Sequence, residues 1–271
     1  MCNKQYFKKQ HKQAEQKGFT LLEIVIALSV MGLLTVFLAN SIKTVTNHDD
    51  YQANKSFMSE VKLALLTFVQ VNGYMPCPDT DGDGRENRAA PLCAANVGTL
   101  PYQDIGVKAV DKWNNSLYYA VHSDASDAAQ VANTASAASY FNSTTARFFT
   151  LATAPVGDNP AVTGFIKICS GLSNNCNGAT VDADRLELAA VAMVMSFGEN
   201  GAQTWSAMSP PANINLLSPR EQVNADEDAD KYYWQSVGSN VQGQTFDDQI
   251  VWLTGYDIKY ATIRSGNAIA W

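Results

Sequence analysis

From Phe19 to Ala39 the chain is apolar except for small hydroxyls and one carboxylate, Glu23. A helix of that length rises ~32 Å, about the hydrocarbon thickness of a bilayer. Beyond it the pattern changes. Ile42, Val45, Phe57, Val61, Leu65, Phe68 and Val69 recur at mostly three- and four-residue steps, with Lys43, Asp49, Asp50, Lys55, Glu60 and Lys62 mostly between them. That is the period of a helix with one apolar stripe. No proline precedes Pro76, and no glycine falls between Gly32 and Gly73. The pattern therefore predicts one helix from about Phe19 to about Asn72, ~80 Å long, stopped by Gly73 with Pro76 and Pro78 beyond. Its first half is greasy all round, and its second half needs a domain to cover the stripe. Two helices broken around Asn47-His48-Asp49-Asp50 are the alternative.

After Pro78, short apolar runs alternate with long polar stretches, as in a mixed α+β domain. Strands are predicted at Leu117–His122, Gly164–Cys169, Ala189–Phe197 and Ile250–Leu253. Their alternation is imperfect, so periodicity fixes neither order nor pairing. Residues 124–146, rich in Ala, Ser, Asn and Thr, read as a surface helix or a loose insertion. Residues 206–230 carry Pro210, Pro211 and Pro219 and then an acidic run, and read as loop. The tail after Asp257 fits strand or helix.

Charge adds a direction. The chain holds 19 Lys and Arg against 26 Asp and Glu; the first 18 residues hold five Lys and one Glu, which leaves 14 against 25 and a net charge of −11 beyond them. Such an acidic body disfavours broad affinity for nucleic acid. A basic flank before the apolar span and an acidic body after it place the first residues in the cytoplasm and the body outside.

An ionisable side chain inside a membrane-length segment is costly and marks a functional position. A secretory signal peptide does not account for this end, because the apolar stretch is long enough to span and no A-x-A-type cleavage pattern follows it. Gly18-Phe19-Thr20-Leu21-Leu22-Glu23, after a basic leader ending in Lys17, resembles the processing site of type IV prepilins and type II secretion pseudopilins. The resemblance implies that residues 1–18 are a leader removed by a prepilin peptidase between Gly18 and Phe19, with methylation of the new Phe19 amine. It implies that residues 19–40 are the membrane-spanning half of the helix. Residues 41–271 then form a periplasmic, pilin-like globular domain that includes the helix's second half. The implied fold is α+β, a long N-terminal helix packed on a small antiparallel sheet with long loops. The implied partners are other pilin or pseudopilin subunits, the assembly machinery of the bacterial inner membrane, and lipid. In a filament Glu23 becomes the fifth residue and pairs with the terminal ammonium of a neighbour, since a buried carboxylate is severely penalised unless paired.

Two softer echoes point to the major pseudopilin of type II secretion. Asp111-Lys112-Trp113-Asn114-Asn115-Ser116-Leu117-Tyr118-Tyr119 is similar to its Asp-Pro-Trp-Gly-Asn-Pro-x-x-Tyr stretch, departing from it at Lys112 among others. Ser196-Phe197-Gly198-Glu199-Asn200-Gly201 is similar to its Ser-x-Gly-x-Asp-Gly turn. The resemblance makes the acidic run that follows, Asp226, Glu227, Asp228 and Asp230, a second place to look for calcium.

Cys2 leaves with the leader, and Cys77, Cys93, Cys169 and Cys176 remain, an even count in an oxidising periplasm. Local pairing, Cys77 with Cys93 and Cys169 with Cys176, is the expectation, because each pair brackets a polar, turn-rich loop. A zinc site is the weaker reading, with no C-x-x-C and no histidine near in sequence. Inside the first loop, Asp79, Asp81 and Asp83 stand at alternate positions and Gly84 follows the third. Calcium loops often begin this way, with hard oxygens converging as the chain turns. The glutamate that an EF-hand needs at its twelfth position is here Ala90, so Glu86 is the candidate fourth ligand. A polar turn inside a disulfide loop explains the same residues without a cation.

No enzyme motif is present: no G-x-S-x-G, H-E-x-x-H, Walker-type loop or G-x-G-x-x-G, and only His48 and His122 beyond the leader. The sequence reads as a non-enzymatic filament subunit, with an enzyme merely anchored to the membrane as the reading of another class. A processed chain of 253 residues is large for an abundant shaft subunit, which favours a minor pilin of a type IV pilus. A type II secretion pseudopilin is the runner-up. An adhesin-like or ligand-binding tip pilin, using residues 124–146 and the Pro-rich segment, is the third reading.

Overall fold

The computed structural model describes residues 20–72, 74–89, 92–122, 165–170, 176–178, 180, 184–208, 217–226, 231–236 and 246–264. Two compact units divide the chain, Met1–Asp49 and Asp50–Trp271. Helix α1 (Leu21–Asn72) is continuous through Asn47–Asp50, so the two-helix alternative is not realised. In the first unit its segment Leu21–Leu38 is long and apolar enough to cross a membrane, and none of it is buried within the chain.

In the second unit α1 turns Asn54, Met58, Val61, Leu65 and Val69 inward at steps of four, three, four and four. Phe57 and Phe68, expected in the stripe, flank that line and are half-buried. Ile42 and Val45 fall where side chains are not described.

The line packs on a six-stranded sheet. Its strands are β3 (Val97–Thr99), β4 (Tyr118–Val121), β5 (Ile166–Cys169), β6 (Arg185–Ser196), β7 (Tyr232–Trp234) and β8 (Gln249–Thr254), ordered β3-β4-β6-β5-β7 with β8 also on β6. A separate two-stranded ribbon, β1 (Arg88–Ala89) with β2 (Leu92–Cys93), lies in the first disulfide loop. All four sequence-predicted strands form, with β6 beginning four residues early. The sheet is mixed rather than purely antiparallel, because β5 and β7 run parallel from Lys167 opposite Tyr232 to Cys169 opposite Trp234.

Burial on both faces explains the imperfect alternation. Tyr119, Val121, Val191 and Val194 join the α1 core, while Tyr118, Ala120, Met193 and Met195 join a second core with Phe197, Met208 and Leu217. A strand covered on two sides reads as a continuous apolar run, which periodicity cannot separate from a buried helix. The second core is roofed by α3 (Gly201–Met208), of which only the last three residues enter the stretch read as loop, and by α4 (Pro219–Ala225), which lies inside it. The reason for α4 is local: Ser218 caps it, Pro219 sits at its first position, and Glu221 completes a capping box. The tail resolves as helix α5 (Gly255–Arg264), and a short α2 (Tyr102–Ile105) follows β3. Residues 124–146 lie outside the described residues.

Candidate functional site

Three places carry the chemistry anticipated from sequence or found beside it. The first is the start of α1. Gly18 and Phe19 lie outside the described residues, but Thr20 and Glu23 are described. Glu23 Oε2 accepts from the Thr20 amide at 2.9 Å and the Thr20 hydroxyl at 3.0 Å, and the Glu23 amide donates to Thr20 Oγ1 at 3.2 Å. This is a capping box, with two of the helix's orphan donors satisfied reciprocally. Within its own chain Glu23 is therefore partnered. The signal was readable as Thr-x-x-Glu ahead of an apolar run.

The second place is the loop closed by the Cys77–Cys93 disulfide, with Cα atoms 5.3 Å apart. Its backbone is docked: Asp79 and Thr99 exchange two bonds of 2.9 Å, which ties the loop to β3. The Asp79 side chain is buried and turns the chain around itself. Oδ1 accepts from the amides of Asp81 and Gly82, and Oδ2 from Gly84 at 2.8 Å. Gly84 has φ 83°, and a Cβ there would stand 2.4 Å from the Tyr102 ring, so no other residue fits. Asp81 and Asp83 are exposed, and each accepts from the amide two residues on. Asn87 Nδ2 also donates to Asp81, which with the Asp83 amide holds that carboxyl below its ordinary range.

Oxygens of Asp79, Asp81 and Asp83 lie within 4.8 Å of one another. Glu86 does not join them. Its carboxylate accepts from the Cys77 amide at 3.0 Å and pairs with Arg88 at 2.8 Å, because a guanidinium two residues on is the nearer charge. Tyr119, fully buried and held neutral by that burial, donates to the Pro76 carbonyl at 3.0 Å and anchors the loop's entry. The second disulfide, Cys169–Cys176, lies in a small core with Trp234 and Phe246.

The third place was not legible in the sequence. Glu221 on α4 and Asp247 and Asp248 before β8 also bring carboxylate oxygens within 4.8 Å of one another, with Glu221 and Asp248 buried. Burial pushes Asp247 up to about 6, and the neighbouring Glu221 and Glu199 charges add to the rise. Burial likewise raises Asp248 well above the ordinary carboxylate range. Of the acidic run proposed for calcium, Asp226 ends α4, while Glu227, Asp228 and Asp230 lie outside the described residues.

The two pseudopilin-like stretches meet. Asp111 Oδ1 accepts from the amides of Trp113 and Asn115, and Asn114 takes φ 68° in the turn between them. Ser196 donates to Asp111 Oδ2 at 2.6 Å, and Asn115 Nδ2 donates to the Gly198 carbonyl at 2.9 Å. Asn54 of α1 joins them, donating to Ser196 and to Gln249 and accepting from the Lys112 amide.

Residues 14–39 match the family model of the prokaryotic N-terminal methylation motif, the prepilin-type cleavage and methylation signal of type IV pilins and pseudopilins. The long N-terminal helix followed by a curled mixed sheet fits the pilin-like α+β fold. No curated protein and no solved structure matches the chain.

Proposed function

We propose that this chain is a non-enzymatic structural subunit of a pilin-type filament. A prepilin peptidase cleaves it between Gly18 and Phe19 and methylates the new amine. The subunit waits in the bacterial inner membrane through residues 19–40, with its C-terminal domain in the periplasm. It then joins other pilin or pseudopilin subunits through α1. One observation carries this reading: the methylation motif over residues 14–39 coincides with an exposed apolar helical segment, Leu21–Leu38, whose sole ionisable side chain is Glu23.

Within that reading a minor pilin of a type IV pilus is the preferred role, on the size of the processed chain. A pseudopilin is favoured by one specific observation, the hydrogen bonds that join the Asp111 turn to the Ser196 turn. The reading also gives the loop of Asp79, Asp81 and Asp83 a Ca²⁺ ion, with Glu86 left to Arg88.

Mass spectrometry of the membrane fraction tests the assignment. The expected product begins at N-methylated Phe19. Recovery of intact Met1 from cells with a working prepilin peptidase would overturn it.

A further inference from the structure

Asp81-Gly82 and Asp83-Gly84 are dipeptides of one chemical kind, both with the aspartate side chain exposed to water. An aspartate before glycine is prone to isomerise, because no side chain shields the peptide nitrogen that follows it. The glycine nitrogen attacks the aspartyl Cγ, water leaves, and a cyclic succinimide forms. Water then opens the ring at either carbonyl. One opening restores aspartate; the other gives isoaspartate, in which the main chain runs through the former side-chain carbonyl. The atoms balance overall, and no oxidant takes part.

The turn cannot dispense with its glycines. Gly82 and Gly84 take φ 82° and 83°, in the left-handed region. A Cβ on Gly84 would also strike the Tyr102 ring. The geometry that shapes the loop therefore obliges it to keep two reactive dipeptides.

One buried side chain stands against both reactions. The attacking nitrogens would be the two glycine amides, and each donates to Asp79, Gly82 to Oδ1 at 2.7 Å and Gly84 to Oδ2 at 2.8 Å. To attack, an amide must give up its proton and swing toward the preceding Cγ. Either movement breaks a charge-assisted bond, and losing the proton sets an anion against an anion. The peptide unit between Asp83 and Gly84 is pinned on its other side too, where Gln103 Nε2 donates to the Asp83 carbonyl. The reacting carboxylates are themselves held. Asp81 Oδ2 accepts from Asn87 Nδ2 at 3.1 Å, and Asp83 Oδ1 from the Arg85 amide at 2.8 Å.

We infer that Asp81-Gly82 and Asp83-Gly84 are latent isoaspartate sites, and that Asp79 is the residue that keeps them unmodified. Asp79 acts through the glycine amides, so it is a positioning residue. Isomerisation at either place inserts a methylene into the main chain and undoes the turn that docks on β3. The inference rests neither on filament entry nor on a cation in the loop.

The test ages the full chain in detergent near neutral pH with EGTA present. Peptide mapping with electron-transfer fragmentation reads isoaspartate separately at Asp81 and Asp83, and the same chain in guanidinium gives the unrestrained rate. Folded wild type should isomerise at both positions at least about tenfold more slowly, since a bond to a charged acceptor must open first. Asp79→Asn leaves one acceptor oxygen for two glycines, and should speed at least one position by a similar factor. Gln103→Ala, at an exposed position, should speed Asp83 and leave Asp81 unchanged. An Asp79→Asn chain that ages as slowly as wild type at both positions overturns the inference. So does a Gln103→Ala chain that speeds neither position, or both equally. If Asp79→Asn fails to fold, hydrogen exchange of the wild type decides: protected Gly82 and Gly84 amides support the inference, and freely exchanging ones overturn it.

Discussion

On the proposed filament reading Glu23 has two partners to choose from, and they are chemically distinct. Inside the chain it caps α1 through Thr20. In a filament the same carboxylate is the one acidic group in the apolar stretch available to a neighbour's terminal ammonium. Substitution separates the roles. Glu23→Val should insert into the membrane normally yet fail to enter filaments when wild-type subunits are co-expressed. Thr20→Ala removes the hydroxyl of the cap but keeps the carboxylate, and should still be incorporated. Filament fractions probed for each variant decide it: equal loss in both would make capping the whole role of Glu23.

At the scale of elements, the described part of the loop from Cys77 to Cys93 is held by its own chain. Its disulfide closes a loop of 16-residue separation, worth ~3 kcal/mol by the chain-entropy estimate. Asp79 supplies the turn, and the bridge to Thr99 supplies the dock. A cation would add relief of repulsion between the exposed Asp81 and Asp83. In the full chain, millimolar Ca²⁺ should raise the melting temperature, and Asp81→Asn/Asp83→Asn should abolish that rise. Melts that coincide in Ca²⁺ and EGTA would leave the loop a polar turn. Helix α4 shows how an element can hide from composition: Pro219 suggested a loop, yet Ser218-Pro219-Arg220-Glu221 is the capping-box signature with proline where a helix tolerates it.

Across the second unit, one buried polar tie sets how α1 meets the sheet. Asn54, Ser196, Asp111 and Gln249 are all buried, and each bonds to at least one other. Gln249 also donates to the Tyr51 carbonyl, so β8 grips the same turn of α1. A one-turn slip of the helix would leave these groups unmatched, a cost that apolar packing alone does not impose. Burial is the main reason that the Asp111 carboxyl is raised, against the opposing donors Ser196, Asn115 and Trp113. A raised folded-state value means that the folded chain binds the extra proton more tightly than the unfolded one. The contribution is therefore present at low pH and lost as pH climbs from the ordinary carboxylate range through the folded value. Melts of wild type and Asp111→Asn at pH 4 and pH 7 should show the gap between them narrowing at the higher pH. A gap that is constant or widens would contradict the burial argument.

Local rules determined much of this protein. The apolar run, the end of α1 at Asn72 and the places of the four principal strands follow from neighbours within a few residues, where period and turn chemistry act directly, whereas four cysteines allow three pairings and the fold takes the local one. The capping boxes at Thr20 and Ser218 were equally local and available to be read. Only the tertiary structure decided the rest. Burial of β4 and β6 on both faces, and the parallel pairing of β5 with β7, depend on which distant segments cover a strand. The meeting of Asn54 with Ser196 spans 142 residues, and that of Asn224 with Asp248 spans 24. Nothing in the residues around Asp247 and Asp248 announces Glu221. Their closeness arises when α4 closes over the second core, and the charge problem it creates exists only in the folded chain.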